Sequence, residues 1–301
     1  MSPDSLFEVH EYPDDELQAQ YDELVGLDKI KEHLDREASL MLSPDSASEW
    51  SQKQYHKDIP LLKVLSRRPP LFLFAGDVGT GKTALAESFP DKIARAFGLT
   101  IYLYKLSLNV RGAGAVGQMT SLLGEAFKIV REEAEKRQDG KSAVILLIDE
   151  ADALAQSRET DQMHHEDRAG VNALIRGIDS ITKSLTPVLV IMSTNRPASI
   201  DPAIRRRSAS SFDFTRPNTE DMVKLLTAYL NGTDVSTEQI SELATLCVPY
   251  SGLGYGYTYS DITQKILPAV LLRAMPDAKV TFDNIKAIIE ATPPTAPFNE
   301  L

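Results

Sequence analysis

The most informative segment of the chain reads Gly76-Asp77-Val78-Gly79-Thr80-Gly81-Lys82-Thr83. It fits the pattern G-x-x-x-x-G-K-[ST], in which glycines free the backbone so that successive N–H groups converge on phosphate oxygens. The lysine adds a cation for the β- and γ-phosphates, and the threonine offers its hydroxyl to Mg²⁺. We therefore predict that a nucleoside triphosphate such as ATP binds here, held by Asp77, Val78, Gly79, Thr80, Gly81, Lys82, Thr83 and Ala84.

The segments on either side of this loop predict how it is supported. Leu71–Ala75 is a short apolar run, as expected of a buried parallel strand. Lys82–Phe97 has the pattern of a helix, whose N-terminal dipole favours an anion, and Pro90 should kink or break that helix. A strand, a glycine-rich loop and a helix in this order are typical of a phosphate-binding loop rather than of a chance cluster of glycines.

Strand and helix patterns continue to alternate after the loop. The alternation predicts an α/β fold, with a five-stranded parallel sheet covered by helices on both faces, as in P-loop proteins. The five predicted strands are Leu71–Ala75, Thr100–Leu106, Ala143–Ile148, Val188–Ser193 and Ser211–Phe214. After residue 216 the pattern becomes purely helical. We predict a flexible tail over residues 1–20, a large α/β domain over 21–216, a small all-helical lid domain over 217–291 and a disordered tail over 292–301.

Composition limits the classes of protein to consider. The 301 residues are 43% hydrophobic and carry a net charge of −11, which fits a globular protein and argues against a broad nucleic-acid surface. The single cysteine, Cys247, excludes an intramolecular disulfide and fits a reducing compartment. The first 18 residues lack the apolar core of a secretory signal, and no apolar run approaches the length of a membrane span. We predict a soluble cytoplasmic protein.

Two carboxylates follow the apolar run Val144–Ile148. Ligands of parallel sheets bind at the carboxyl ends of the strands, so Asp149 should reach the Mg²⁺ site near Thr83. Glu150 would then lie where an attacking water must be polarised. The alternative, a solvated acidic strand end, becomes the weaker interpretation beside a phosphate-binding loop.

Polar residues also follow the next predicted strand. Asn195 can orient the attacking water or contact the γ-phosphate, although an asparagine here could simply cap the strand. The segment Ile200–Arg207 ends in three arginines, which cannot all point the same way. They could form a surface patch or a nucleic-acid contact, or supply an arginine finger to the γ-phosphate of a neighbouring subunit.

Together the motifs GDVGTGKT, VILLIDE, STN and IDPAIRRR, in this order, resemble those of the AAA+ ATPases. The resemblance implies a Mg²⁺-dependent ATPase that forms a ring, usually a hexamer, with ATP between subunits and a substrate gripped in a central pore. It implies that the segment Tyr21–Leu27, with Val25 and Gly26, frames the adenine. The arginine finger falls on either Arg206 or Arg207, depending on which relatives are aligned.

The segments Ile148–Leu154 and Asp167–Asp179 resemble most the pachytene-checkpoint/thyroid-receptor-interacting type of AAA+ protein. Those relatives unfold or remodel HORMA-domain signalling proteins in eukaryotes and in bacterial antiviral defence. The resemblance places Ser260 at the nucleotide, in a helical-domain motif that here lacks a second-sensor arginine. It places the substrate pore at residues Ala115, Val116, Gly117, Met119, His164 and His165. The family's aromatic pore residue corresponds to Ala115, which weakens the expected grip on substrate.

Three functions are compatible with these patterns. The favoured one is an ATP-driven protein remodeller acting as a homo-hexamer. A DNA-handling AAA+ loader is disfavoured by the net charge of −11. A nucleotide-gated signalling scaffold would not require Glu150, Asn195 or an arginine finger.

Overall fold

The computed structural model describes residues 6–107, 118–151, 165–182, 184–249 and 254–297, apart from the side chains of residues 66, 118–119 and 165–168. The chain forms two compact units. The first comprises Met1–Tyr21, Ile30–Ala75 and Thr83–Asp213. The second comprises Asp22–Lys29, Gly76–Lys82 and Phe214–Leu301, so the phosphate-binding loop groups with the C-terminal helices.

A six-stranded sheet organises the first unit, in the order β1-β3-β4-β5-β2-β6. The pairs β3–β4, β4–β5 and β2–β5 are parallel. Strands β4 and β5 are buried along their whole length, because apolar runs in a parallel sheet are covered on both faces. The strands are β1 (Phe7–Tyr12), β2 (Leu71–Gly76), β3 (Thr100–Leu106), β4 (Ser142–Ile148), β5 (Val188–Thr194) and β6 (Ser210–Phe214).

Helices of the first unit surround this sheet. Leu123 and Phe127 of α5 and Leu174 and Ile178 of α6 join the apolar core that is built on β4 and β5. Pro90 lies inside a helix that the structure keeps continuous from Lys82 to Phe97, so the predicted break does not occur. The helices are α1 (Asp15–Glu23), α2 (Asp28–Leu42), α3 (Asp45–Tyr55), a 3₁₀ segment (Pro60–Arg67), α4 (Lys82–Phe97), α5 (Gln118–Glu135), α6 (His165–Ile181) and α7 (Pro202–Arg205).

The structure adds a sixth strand to the five predicted ones, and this strand lies within residues 1–20, which the sequence pattern predicts to be a flexible tail. Strand β1 pairs antiparallel with β3, from Phe7 opposite Leu106 to Tyr12 opposite Ile101, and α1 begins at Asp15. Without β1, one edge of β3 would present unpaired backbone groups, and an edge strand satisfies them. Tyr12 is fully buried, and its hydroxyl donates a hydrogen bond to the carbonyl oxygen of Glu87.

The second unit has its own helical core. The core includes Met222, Leu226, Leu243 and Ile285, and Val25 packs against it. Its helices are α8 (Thr219–Leu230), α9 (Thr237–Cys247), a π-helical turn (Asp261–Ile266), α10 (Leu267–Ala274) and α11 (Phe282–Ala291).

The segment after α11 makes specific contacts up to residue 297, contrary to the predicted disorder from 292 onward. The Thr292 carbonyl accepts a hydrogen bond of 2.7 Å from the Tyr257 hydroxyl, and the Thr295 amide donates one of 3.1 Å to Asp261. Residues 298–301 lie outside the described part of the chain. Among the described residues, none of the helices is long and apolar enough to cross a membrane.

Candidate functional site

The phosphate-binding loop adopts a conformation that requires its glycines. Gly79 and Gly81 have φ angles of +72° and +93°, a region that side chains with a Cβ rarely occupy. A Cβ at Gly79 would lie 2.8 Å from the Thr258 hydroxyl and 2.9 Å from the Ser260 Cβ, so the loop also packs too closely for a side chain there. The Lys82 ammonium is buried and donates to the carbonyls of Gly76, at 3.0 Å, and Asp77, at 2.7 Å. It is therefore held over the loop itself.

In the first unit, the structure brings the two predicted metal ligands together. The Thr83 hydroxyl at the start of α4 donates a 2.8 Å hydrogen bond to Oδ2 of Asp149, which follows β4. Oδ1 of the same carboxylate accepts from the Glu150 backbone N–H at 2.9 Å and from the Ser193 hydroxyl. A hydroxyl and a carboxylate in contact supply the hard oxygen ligands that Mg²⁺ prefers. The residues present therefore fit a magnesium ion.

Sequence reasoning missed Ser193, and strand register explains its position. In the parallel pair β4–β5, Ile148 lies opposite Met192. The residues that follow, Asp149 and Ser193, are therefore neighbours at the carboxyl ends of the two strands. A polar residue one position beyond the apolar part of β5 is the signal that would have identified Ser193.

Glu150 has an unusual backbone conformation. Its φ angle is +49°, which is rare for a residue other than glycine, and the residue is exposed directly after the end of β4. Strained conformations of this kind cost about 1–3 kcal/mol and cluster at functional sites. Asn195 directly follows β5 and is partly exposed. Both side chains thus follow neighbouring strands, at the same edge of the sheet as Asp149.

The structure distinguishes the arginines that the sequence left equivalent. Arg207 forms an ion pair with Asp179 of α6, with Nε 3.0 Å from Oδ1 and Nη2 3.3 Å from Oδ2, and it also donates to the Ala203 carbonyl at 3.3 Å. Arg205 donates to the Pro197 carbonyl. Arg206 is exposed, and its guanidinium has no hydrogen bond or ion pair with any residue in the described part of the chain.

Of the remaining predicted nucleotide residues, Ala84 lies in α4 of the first unit, and Val25, Gly26 and Ser260 lie in the second unit. The carbonyl of Gly26 accepts a 3.2 Å hydrogen bond from the hydroxyl of Tyr259, whose pKa is raised by burial and then by the nearby Asp221 and Asp28 carboxylates. The Ser260 backbone N–H donates to the Gly79 carbonyl at 3.2 Å, which joins the helical part of the unit to the phosphate-binding loop.

One residue of this unit had no sequence signal. Arg216 donates from Nε and Nη2 to Oδ2 of Asp77, at 2.8 and 2.5 Å, and from Nη1 to the Gly256 carbonyl. Its partners are 139 and 40 residues away in sequence, so no local pattern predicts the contacts.

The predicted pore residues lie largely outside the described part of the chain. This applies to Ala115, Val116, Gly117 and His164. Met119 lies in α5 and His165 begins α6, but their side chains are also outside the description. Their placement in a pore stays a prediction.

Comparison with known proteins identifies ATPases among the relatives of this chain. Residues 72–216 match the family described as "ATPase family associated with various cellular activities (AAA)". CD-NTase-associated protein 6 of Escherichia coli strain MS 115-1 is 45% identical over 303 residues, covering 99% of this chain and 97% of that protein. A chain of the structure described as the E. coli MS115-1 HORMA:CdnC:Trip13 complex is 44% identical, with a TM-score of 0.92 and 99% of both chains covered. The structure of Rhizobiales Trip13 is 39% identical, with a TM-score of 0.77, covering 97% of this chain and 100% of that chain.

Proposed function

The chain belongs to the AAA family of ATPases and hydrolyses ATP, and we propose that it uses this activity, as a homo-hexameric ring, to remodel a HORMA-domain protein. One observation carries the choice of substrate. The chain is 44% identical, over 99% of its length, to a chain from a complex that contains a HORMA protein. Likeness to CD-NTase-associated protein 6 supports a role in bacterial antiviral defence, in the cytoplasm.

The first step of the proposed mechanism is nucleotide binding at residues 76–84. The N–H groups of the glycine-rich loop and the N-terminus of α4 supply donors for the phosphates. The Lys82 ammonium, which donates hydrogen bonds to the carbonyls of Gly76 and Asp77 in this structure, would rotate to contact the β- and γ-phosphates of ATP. Val25, Gly26 and Ser260 would enclose the rest of the nucleotide.

Thr83 and Asp149 would hold Mg²⁺, since their oxygen atoms already meet at 2.8 Å. When bound, the ion neutralises charge that develops on the phosphates. Ser193 and the Glu150 N–H fix the Asp149 carboxylate from its other oxygen, Oδ1. The aspartate therefore keeps one defined orientation before nucleotide binds, which lowers the cost of reorganisation during the reaction.

Glu150 would act as general base towards the attacking water, and Asn195 would orient that water. The left-handed backbone at Glu150 turns the chain sharply after β4, so that successive carboxylates serve different tasks. Asp149 is bound by Thr83, Ser193 and the backbone, whereas Glu150 is exposed and accessible to substrate.

Arg206 would be the finger that reaches the γ-phosphate of a neighbouring subunit. Arg207 is held by Asp179 through two nitrogen atoms and by the Ala203 carbonyl, so its withdrawal would break three contacts. Arg206 is exposed and has no such contacts in the described part of the chain. Active sites completed by a neighbour would make hydrolysis depend on assembly.

The test uses a HORMA-domain protein from the same organism and the Glu150→Gln variant. We expect the wild-type chain to hydrolyse ATP, to show a hexamer by native mass spectrometry with ATP, and to speed hydrogen exchange of the HORMA core. Glu150→Gln should bind ATP and assemble but leave HORMA exchange unchanged. If wild type hydrolyses ATP without changing HORMA exchange, the proposed substrate is wrong. If a monomer hydrolyses ATP fully, the proposed ring is wrong.

A further inference from the structure

A partly buried ion pair joins the phosphate-binding loop to the helical part of the second unit. The side chains of Asp77 and Arg216 are only 19% and 14% exposed, and two guanidinium nitrogens contact Oδ2 of the carboxylate. The remaining carboxylate oxygen, Oδ1, accepts the Val78 backbone N–H at 2.9 Å. Asp77 is thus bound on one side by the loop itself and on the other by Arg216.

Arg216 also contacts the segment that leads into the π-helical turn. Its Nη1 donates to the Gly256 carbonyl, and its guanidinium lies 5.1 Å from the centre of the Tyr255 ring. The same segment reaches the loop again through Ser260, which donates to the Gly79 carbonyl. Arg216 and Ser260 thus both attach the loop to residues 255–260, and the attachment through Arg216 is charged.

The charge on Asp77 raises a specific problem for a loop that binds polyphosphates. A carboxylate within the loop would repel a triphosphate, and the repulsion is weakly screened because the side chain is mostly buried. A guanidinium that donates two hydrogen bonds to Oδ2 offsets this repulsion, while Oδ1 still accepts the Val78 N–H.

We propose that Arg216 is a positioning residue for the nucleotide: it neutralises Asp77 and holds the loop to Gly256, so that the loop accepts a triphosphate. The proposal rests on the proposed ATP site at residues 76–84, but not on the ring, on hydrolysis or on a HORMA substrate. Through Gly256, Arg216 contacts the helical-domain motif that lacks a second-sensor arginine in this sequence. It acts on the nucleotide through Asp77 rather than by contacting the phosphates.

The experiment measures the dissociation constants of fluorescent ATP and ADP analogues for five forms of the full chain. These are wild type, Arg216→Ala, Asp77→Asn, the double variant, and Arg273→Ala, which removes an exposed arginine of α10 as a charge-matched control. Arg216→Ala should weaken ATP binding by about tenfold or more, and ADP binding less, because the repulsion grows with phosphate charge. Arg273→Ala should bind both as wild type does.

The double variant separates electrostatics from simple structural damage. Asp77→Asn should restore much of the ATP affinity lost in Arg216→Ala. If Arg216→Ala weakened ATP binding only because residues 255–260 lost their packing, Asp77→Asn would not restore the affinity. Unchanged ATP affinity in Arg216→Ala, or no rescue in the double variant, would overturn the proposal. If Arg216→Ala does not fold, Asp77→Asn alone decides: ATP affinity equal to or tighter than wild type supports the proposal, and weaker affinity overturns it. A failure of the ring or of HORMA remodelling would leave these binding constants unaffected.

Discussion

The choice between Arg206 and Arg207 leads to a prediction with a large and asymmetric effect. Replacing Arg206 by alanine should abolish most ATP hydrolysis, because a finger supplied in trans accelerates phosphoryl transfer by about 10³–10⁵-fold in hydrolases that use one. Nothing in the described part of the chain holds the Arg206 side chain, so its removal should not lower the stability of the subunit.

The Arg207 variant should behave in the opposite way. Its ion pair with Asp179 is partly exposed, with side chains 34% and 56% accessible, and pairs of this kind stabilise a protein by only about 0.2–1 kcal/mol. We therefore expect Arg207→Ala to lower the unfolding free energy slightly and to keep ATP turnover within a few fold of wild type.

The assay is steady-state ATP hydrolysis at a subunit concentration where native mass spectrometry shows assembly. A mixing experiment then tests whether the finger acts in trans. Arg206→Ala keeps its own Glu150, and Glu150→Gln keeps its own Arg206, so neither variant alone should turn over. In a random equal mixture, about one quarter of the interfaces in a ring join a subunit that keeps Glu150 to a neighbour that keeps Arg206. ATP hydrolysis should therefore rise to about one quarter of the wild-type rate.

Two results would refute this reasoning. One is an active Arg206→Ala together with an inactive, folded Arg207→Ala, which would move the finger to Arg207 despite its contact with Asp179. The other is a mixture no more active than its components although mass spectrometry shows mixed rings, which would mean that Arg206 does not complete a neighbour's site.

The remaining predictions concern the metal site, acid stability and the thiol. Thr83→Ala should raise the Mg²⁺ concentration needed for half-maximal ATPase activity by about tenfold or more, whereas Thr83→Ser, which keeps the hydroxyl, should not; equal Mg²⁺ titrations would contradict the site. Burial raises the pKa of Asp261, but hydrogen bonds from Lys265, Thr295 and backbone N–H groups outweigh it and hold that pKa at about 2. Because the folded pKa is depressed, the stabilisation of about 2 kcal/mol is present above pH ~4 and lost as pH falls towards 2. Urea unfolding of Asp261→Asn should show this loss at pH 7 and converge with wild type near pH 2; a constant difference would contradict it. Burial raises the pKa of Cys247 to about 12, so iodoacetamide should label it at pH 8 only after unfolding, and rapid labelling of the native chain would contradict its burial.

Local patterns were sufficient for the central sheet and for the nucleotide loop. Apolar runs followed by polar residues predict buried strands of a parallel sheet, and β2, β4 and β5 lie where those runs are. The two less apolar strands, β3 and β6, also lie where strands were predicted. The glycine-rich loop is similarly local, because its conformation depends on glycines within the same eight residues.

The N-terminal strand could not be inferred in this way. Residues 7–12 alternate apolar and charged side chains only weakly, and Val9 is 44% exposed. What makes them a strand is the free edge of β3, whose partner residues are about 90 positions further along the chain. Pairing at that distance leaves no periodic signal in a short segment.

The sequence by itself predicted the chemistry of the nucleotide site: Lys82 and Thr83 in and after the loop that follows β2, and the two carboxylates, Asp149 and Glu150, directly after β4. Only the tertiary structure decided which of several chemically similar side chains are held by other residues and which are exposed. Asp179 binds Arg207 and leaves Arg206 exposed, Ser193 fixes Asp149, and Arg216 neutralises Asp77. The physical reason is that side-chain hydrogen bonds and ion pairs join residues about 30 to 140 positions apart, and the strength of each depends on distance and burial.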